Sequence, residues 1–392
     1  MKIALIGCDT DSFQIIRWLA ARPQYELTTA YSVGSFRTSI AERFPKALIS
    51  DAWEDALAGA ELDAMVVAGR SLPDTEQHAD QLRKIMLAEI PLLVCHPLCE
   101  AILGLELEMI QRDTKLAIEP FYPLLGHPAL DDLQRLAHQA NEQGEPYEQL
   151  VIERNLADRS KQNVLRTVYQ DALPMRRIMG KVTHVGAMGI FQADSDFANL
   201  GVHMTGGTIA GRWSCGPVVD FCGIRLQLLG GSRRVVVSLE TDEHGFARNG
   251  QFVQPDGQQK DYAEHDSIAV AFDNLRSRMA GLSTDARWEE SCRALDVGDA
   301  IEMSCRRGRT MELMSEQPTE EGTFKTIMAA SGCGLMMWIL LMFVIYTIFL
   351  PDVGSFWHVA WMILIFAPLF VFLPLQFLKL LFRRSESDSH AN

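Results

Sequence analysis

The sequence predicts a doubly wound parallel α/β domain, then an α+β domain on an open, mainly antiparallel sheet, then a two-helix transmembrane hairpin. Three observations carry this. Strand and helix patterns alternate over about the first 120 residues, as a parallel sheet with crossover helices requires. Strand patterns then follow one another from Tyr147 to Glu240, with Gly206-Gly207 marking a hairpin turn. Two long apolar runs lie at 332–350 and 356–378. The predicted spans are 1–122 and 123–318 for the two domains, 319–331 for a linker, the two apolar runs for the membrane helices, and 379–392 for a tail.

In the first domain, Ile3-Ala4-Leu5-Ile6 is a short buried strand ended by Gly7. Phe13, Ile16, Trp18 and Leu19 follow at helical spacing. Tyr25–Tyr31 and Leu62–Ala68 read as further strands, and Ile40–Phe44 and Ala52–Leu57 as helical pieces. In the second domain, Ala129–Ala137 reads as a helix. Tyr147–Glu153, Val182–Met188, Asn199–Thr205, Thr208–Ser214 and Arg234–Glu240 read as strands.

The run 332–350 holds no charge, and its nineteen residues span about 28 Å as a helix, close to the hydrocarbon thickness of a bilayer. The run 356–378 carries Trp357 and Trp361 near its start and Pro368 and Pro374 inside it, where each kinks a helix. Lys325 precedes the hairpin, Lys379, Arg383 and Arg384 follow it, and the connecting loop has no Lys or Arg. The bias places both flanks, and so both soluble domains, on the cytoplasmic side of the membrane. The apolar stretch at the N-terminus is too short for a signal peptide.

A chain of 392 residues holds two domains, and 48% hydrophobic with 22% charged residues is a globular composition. The net charge of -14 excludes a nucleic-acid partner, whose phosphates call for a basic surface. The eight cysteines form no Cys-x-x-Cys pair and no zinc spacing, so no metal site is expected.

The first strand-turn-helix is where a dinucleotide would bind. A Gly-x-Gly-x-x-Gly turn falls on Gly7, Asp9 and Ser12. The second glycine normally admits the pyrophosphate to the helix N-terminus. Asp9 puts a like charge there, worth about 4 kcal/mol of repulsion at about 4 Å and an effective dielectric of about 20. Alternatively, Asp9 swings aside and caps the helix. Ser32 stands where an acidic residue would hold the adenosine ribose. With Arg37 nearby it suits a 2'-phosphate, which favours NADP over NAD if a cofactor binds at all.

Beyond these patterns, His78, the strand-like Leu62–Gly69 and the tripeptide Cys95-His96-Pro97 after an apolar run resemble the Gfo/Idh/MocA family of sugar- and polyol-oxidising dehydrogenases. Residues 265–279 and 289–313 are similar to its late helices and last strand, so the resemblance covers residues 1 to about 314. It implies a Rossmann-type nucleotide-binding domain, NAD or NADP as cofactor, a sugar-like substrate and a homodimer through the open sheet. It also implies a Glu-Lys-Pro motif whose Lys assists proton transfer. Here Cys95 and His96 replace the Glu and Lys, Pro97 is kept, and His78 matches a position lining the cofactor site. The family's second catalytic His has no counterpart, since no His occurs between His138 and His184; Leu124 and Leu125 stand where an Arg is often found.

His96 is the titratable group left at the centre, either as a base at neutral pH or as a pocket-lining residue before a proline. Three readings follow. One is a membrane-anchored, oxidoreductase-like protein with degenerate motifs and weak or absent NADP or NAD binding, acting as a ligand-binding or interaction module. The second is an active NADP-dependent sugar or polyol dehydrogenase using His96. The third is a structural scaffold in the bilayer that dimerises through its sheet.

Overall fold

The computed structural model describes residues 1–57, 61–69, 75–189, 200–218, 221–282, 287–313, 336–345 and 363–365. Residues Met1–Met314 form one compact unit and Ser315–Asn392 another.

The first sheet is parallel, with strands β1 (Lys2–Ile6), β2 (Glu26–Tyr31), β3 (Leu48–Ser50), β4 (Ala64–Val67), β5 (Leu92–Cys95) and β6 (Ile118–Phe121) in the order β3-β2-β1-β4-β5-β6. Helices α1 (Thr10–Ala20), α2 (Arg37–Arg43), α3 (Thr75–Leu87) and α4 (Ala101–Thr114) join its strands. The central strands are written as unbroken apolar runs because helices cover both faces. Successive residues enter opposite cores: Ile3, Leu5, Val66 and Leu93 face one, Ala4, Ile6, Met65 and Val94 the other. From β1 the strand order runs outward to β2 and β3, and from β4 outward to β5 and β6. The crevice between the ends of β1 and β4 is therefore the switch point, where such sheets bind ligands.

The second domain contributes α5 (Pro128–Glu142), α6 (Lys161–Met179) and nine strands. These are β7 (Gln149–Leu156), β8 (His184–Gly189), β9 (Leu200–Thr205), β10 (Ala210–Pro217), β11 (Gly223–Gly230), β12 (Arg233–Thr241), β13 (Ala247–Val253), β14 (Gln259–Tyr262) and β15 (Met311–Glu312). Their order is β14-β13-β12-β11-β7-β10-β9-β8-β15. Neighbours pair antiparallel except β7 and β10, which are parallel. The sheet is thus mainly antiparallel, as the sequence predicts, with one parallel pair inside it. The parallel pair arises because α6, β8 and β9 intervene between β7 and β10. Gly207 in the β9–β10 turn has no room for a side chain, since a Cβ would meet the Met179 carbonyl oxygen at 2.2 Å.

Helices α7 (Ser267–Met279) and α8 (Arg287–Arg307) return to the first domain. Glu119 on β6 is fully buried and paired with Arg278 at 2.8 Å and Arg287 at 3.0 Å. Along α8, Asp299 accepts the Ala101 N–H at 2.8 Å and so satisfies the start of α4. The same carboxylate accepts the Tyr169 hydroxyl of α6 at 2.5 Å. Gly298 makes this crossing fit, because a Cβ there would lie 2.0 Å from the Tyr169 ring.

Of the predicted membrane hairpin, residues 336–345 form a helix and 363–365 are helical; the remainder of both runs, with the linker and the tail, lies outside the described residues. Among the described residues no helix is long and apolar enough to cross a membrane.

Replacing Gly298 by Ala must push the Tyr169 ring off α8. Overpacking of this kind costs about 1–3 kcal/mol. Urea denaturation of Gly298→Ala is expected to show a lower midpoint with an unchanged slope; a wild-type midpoint would mean that the α6–α8 contact carries no stability.

Candidate functional site at the strand ends

The carboxyl ends of β1, β4 and β5 converge beneath α6. Gly7 ends β1 with φ 70, a left-handed conformation suited to glycine. Asp9 then caps α1. Its Oδ1 accepts the Ser12 N–H at 2.8 Å, and the Asp9 N–H donates to the Ser12 hydroxyl at 2.9 Å, a reciprocal capping box. Its other oxygen accepts the Gly69 N–H at 2.9 Å, across the switch point from β1 to the end of β4. Gly69 is confined there, since a Cβ would meet the Pro97 carbonyl oxygen at 2.4 Å. Gly7, Asp9 and Ser12 therefore come together as the sequence predicts, but as a closed internal network. Of the two expectations for Asp9, the structure places it as a cap.

Asp11, in the first turn of α1, is 2% exposed. It accepts from Arg166 at 2.9 Å and from the Gln170 amide at 2.8 Å, both on α6. Burial pushes its pKa up to about 6 despite the arginine. The Gln170 amide also donates to the His96 carbonyl at 3.1 Å. No signal in the sequence links these residues, because the partners lie more than 150 positions apart.

His96 is 2% exposed and sits where β5 meets α6 and α8. Nε2 lies 3.1 Å from the Tyr169 carbonyl oxygen and Nδ1 lies 2.9 Å from the Ser291 hydroxyl. A carbonyl oxygen only accepts, so Nε2 carries the proton and Nδ1 accepts from Ser291. Both ring nitrogens are thus engaged by protein. Burial lowers the pKa to about 4, so the ring is neutral at pH 7. The His96–Pro97 peptide is cis, and Pro97 borders Gly69. His78 is buried on α3 with Nε2 3.1 Å from the Leu98 carbonyl oxygen.

Ser32 ends β2 with φ 53, and its N–H donates to the Ser50 carbonyl at 3.1 Å. Arg37 donates to the Ile49 carbonyl at 3.1 Å and lies 3.5 Å from Asp51. The two are thereby engaged with the β3 end. Burial also pushes the Cys8 thiol up to about 12 and raises Cys95, so neither supplies a thiolate at neutral pH. Among the described residues no group of His, Cys, Asp and Glu could hold a metal ion.

Beside this network, α6, residues 122–124 and the turn 241–245 enclose a cleft with about 550 Å3 of empty space, solvent included. Arg154, Asn163, Arg166, Thr167 and His244 line it. Arg154 is locked to Asp171 by bonds of 2.8 and 2.5 Å, and Trp213 Nε1 donates to the same carboxylate at 2.8 Å.

No protein-family model matches the sequence, and no curated protein is similar enough to stand as a relative. Solved structures are similar in fold. A UDP-N-acetylglucosamine 3-dehydrogenase from Acidithiobacillus ferrooxidans matches with a TM-score of 0.61 at 16% identity, over 78% of this chain and 98% of that one. An oxidoreductase from Agrobacterium radiobacter, in complex with NAD+, L-tartaric acid and magnesium, gives 0.61 at 9% identity, over 80% and 98%. A mutant 3-ketoreductase from Actinomadura kijaniata, in complex with TDP-benzene and NADP, gives 0.60 at 16%, over 78% and 98%. The chain therefore has the two-domain fold of these oxidoreductase structures, and about a fifth of its length lies outside the likeness.

The buried imidazole gives a pH signature. The folded pKa of His96 lies below the free value of about 6.5. Its stabilising contribution is complete above pH 6.5 and is lost as the pH falls towards 4, to a total on the order of 3 kcal/mol. Asp11 opposes it, since a carboxyl held at about 6 gains stability on protonation as the pH drops through 6. Asp11→Asn is expected to steepen the loss of stability between pH 6.5 and 4, and the His96 ring to titrate near 4 by NMR. A ring that titrates near 6.5 contradicts the buried junction.

Proposed function

We propose that this protein is a binding module built on the oxidoreductase fold, with a degenerate cofactor site, rather than an active dehydrogenase. The observation that carries the proposal is the Asp9–Gly69 hydrogen bond across the switch point. A dinucleotide pyrophosphate needs the α1 N-terminus, and Asp9 already occupies one of its free N–H groups, that of Ser12, and sets a negative charge beside the others. Asp11 adds a second carboxylate in the first turn. NADP or NAD therefore binds weakly or not at all. The alternative, a dehydrogenase of sugars or polyols using His96 as base, needs a reachable ring nitrogen. Both nitrogens of His96 are held by protein at 2% exposure, which does not favour it.

The ligand expected is a sugar-like, polyhydroxylated molecule in the cleft beside Arg154, Asn163, Arg166 and Thr167, where side-chain donors and acceptors converge. The similar UDP-N-acetylglucosamine 3-dehydrogenase supports this class by fold alone. We further propose domain spans of 1–122 and 123–318, a homodimer through the open face of the nine-stranded sheet, and attachment to the inner membrane through 332–378 with the soluble domains in the cytoplasm. Residues 336–345 support the attachment: Met336, Met337, Leu340, Leu341 and Phe343 are exposed around an apolar helical segment with no polar face.

Titration of NADPH and NADH by nucleotide fluorescence tests the closed crevice. Wild type is expected to bind both weakly. Asp9→Gly is expected to bind about five- to hundred-fold tighter, the equivalent of about 1–3 kcal/mol, and the gain should be larger for NADPH. Low-micromolar binding by wild type overturns the reading and returns the dehydrogenase to the front.

Removal of residues 330–392 is expected to give a soluble protein, while the full chain stays with membranes through a carbonate wash. A truncate that still pellets with membranes contradicts the attachment.

A further inference from the structure

The cleft beside α6 is lined by two arginines, and the protein neutralises both. Arg154 is held by Asp171 at 2.8 and 2.5 Å. Arg166 spends Nη1 on the buried Asp11 at 2.9 Å and Nη2 on the Asn163 side-chain oxygen at 3.0 Å. The Asp11 carboxyl is held at about 6, so at pH 7 this pair is charged and self-cancelling. Three more carboxylates line the cleft, those of Asp158, Asp242 and Glu243, and none forms an ion pair with a lysine or arginine among the described residues. Backbone donors position two of them without cancelling their charge. Asp158 accepts the Ser160 N–H at 2.8 Å, and one oxygen of Asp242 accepts the His244 and Phe246 N–H groups at 2.9 and 3.0 Å. Glu243 stands in solvent, 3.5 Å from His244.

With its arginines cancelled, the lining keeps an excess of negative charge, and the whole chain carries -14. A cleft of one sign concentrates ligands of the other and turns away its own. A second observation points to what fills the space between the charges. Tyr122, 4% exposed, lines the same cleft, and its hydroxyl has no hydrogen-bond partner among the described residues. Burial raises its pKa, so it stays a neutral hydroxyl that both donates and accepts, as a sugar hydroxyl requires of a partner. We propose that the cleft takes a polyhydroxylated ligand bearing an ammonium group, an amino sugar or amino polyol, and rejects sugars that carry a carboxylate, a phosphate or a nucleotide. The inference rests on the reading of this cleft as the ligand site and narrows the class of ligand within it.

The test is calorimetric titration of the full-length protein in detergent at pH 7 with hexosamines, hexoses and hexuronates of gluco, galacto and manno configuration. An exposed ion pair changes affinity by up to about five-fold, so three carboxylates predict a preference for amine over acid of about ten-fold or more. The neutral hexose should fall between them, and added salt should shrink the preference. Glu243→Gln, at an exposed position, is expected to narrow the gap between amine and acid by about two- to five-fold. Tyr122→Phe is expected to weaken amine and neutral sugar by the same factor, since it removes a hydroxyl and no charge. A hexuronate that binds as tightly as the hexosamine overturns the inference and leaves the cleft standing as a sugar site. An unchanged gap in Glu243→Gln places the selection elsewhere and overturns it too. Absence of binding by all three classes overturns the reading of the cleft itself, and the inference with it.

Discussion

The contact between the Gly69 amide and the Asp9 carboxylate joins the ends of β1 and β4, the two strands whose separation would otherwise open the ligand crevice of a doubly wound sheet. The same carboxylate caps α1. A helix N-terminus favours an anion by about 0.3–2 kcal/mol. A fixed carboxylate about 4 Å away opposes it by about 4 kcal/mol at a dielectric of about 20. On these magnitudes repulsion exceeds the dipole's attraction, and the proposed weak binding of a pyrophosphate rests on that difference. Asp11 deepens the effect and ties α1 to α6 through Arg166 and Gln170.

The second constraint is the junction at His96. Its backbone N–H pairs with Phe121 of β6, its carbonyl with Gln170, and its ring with α6 and α8. A buried polar group of this kind is stable because each donor and acceptor is met, and it fixes the domains relative to each other. Helix α8 completes the lock through Asp299 on α4 and Tyr169. His96 thus joins elements at the end of β5, and the cleft lined by Arg154, Asn163, Arg166 and Thr167 lies beside α6.

Much of this was legible in the sequence. The parallel sheet could be read because strands buried on both faces are continuous apolar runs, as at Ala64–Val67. The cap could be read from Asp9 with Ser12 three residues later. Other features could not. The strand β3 is three residues long, and without it the engagement of Arg37 with Ile49 and Asp51 has no signal. The polar edge strand β14 lacks an apolar alternation. The parallel β7–β10 pair depends on how α6 folds back, which no local pattern encodes. The partners of Asp11 and His96 come from α6 and α8, so the neutral state of His96 is a product of tertiary burial. A titratable residue in the expected frame looked available to a substrate, and the fold turned it inward.

Amide hydrogen exchange at Gly69 in the full-length protein, with and without NADPH, tests the closure of the crevice most directly. If the Asp9 carboxylate holds this amide, exchange is slow in the free protein and NADPH leaves it unchanged. Rapid exchange in the free protein, or protection that arises only when NADPH is added, would mean that the crevice stands open for a cofactor.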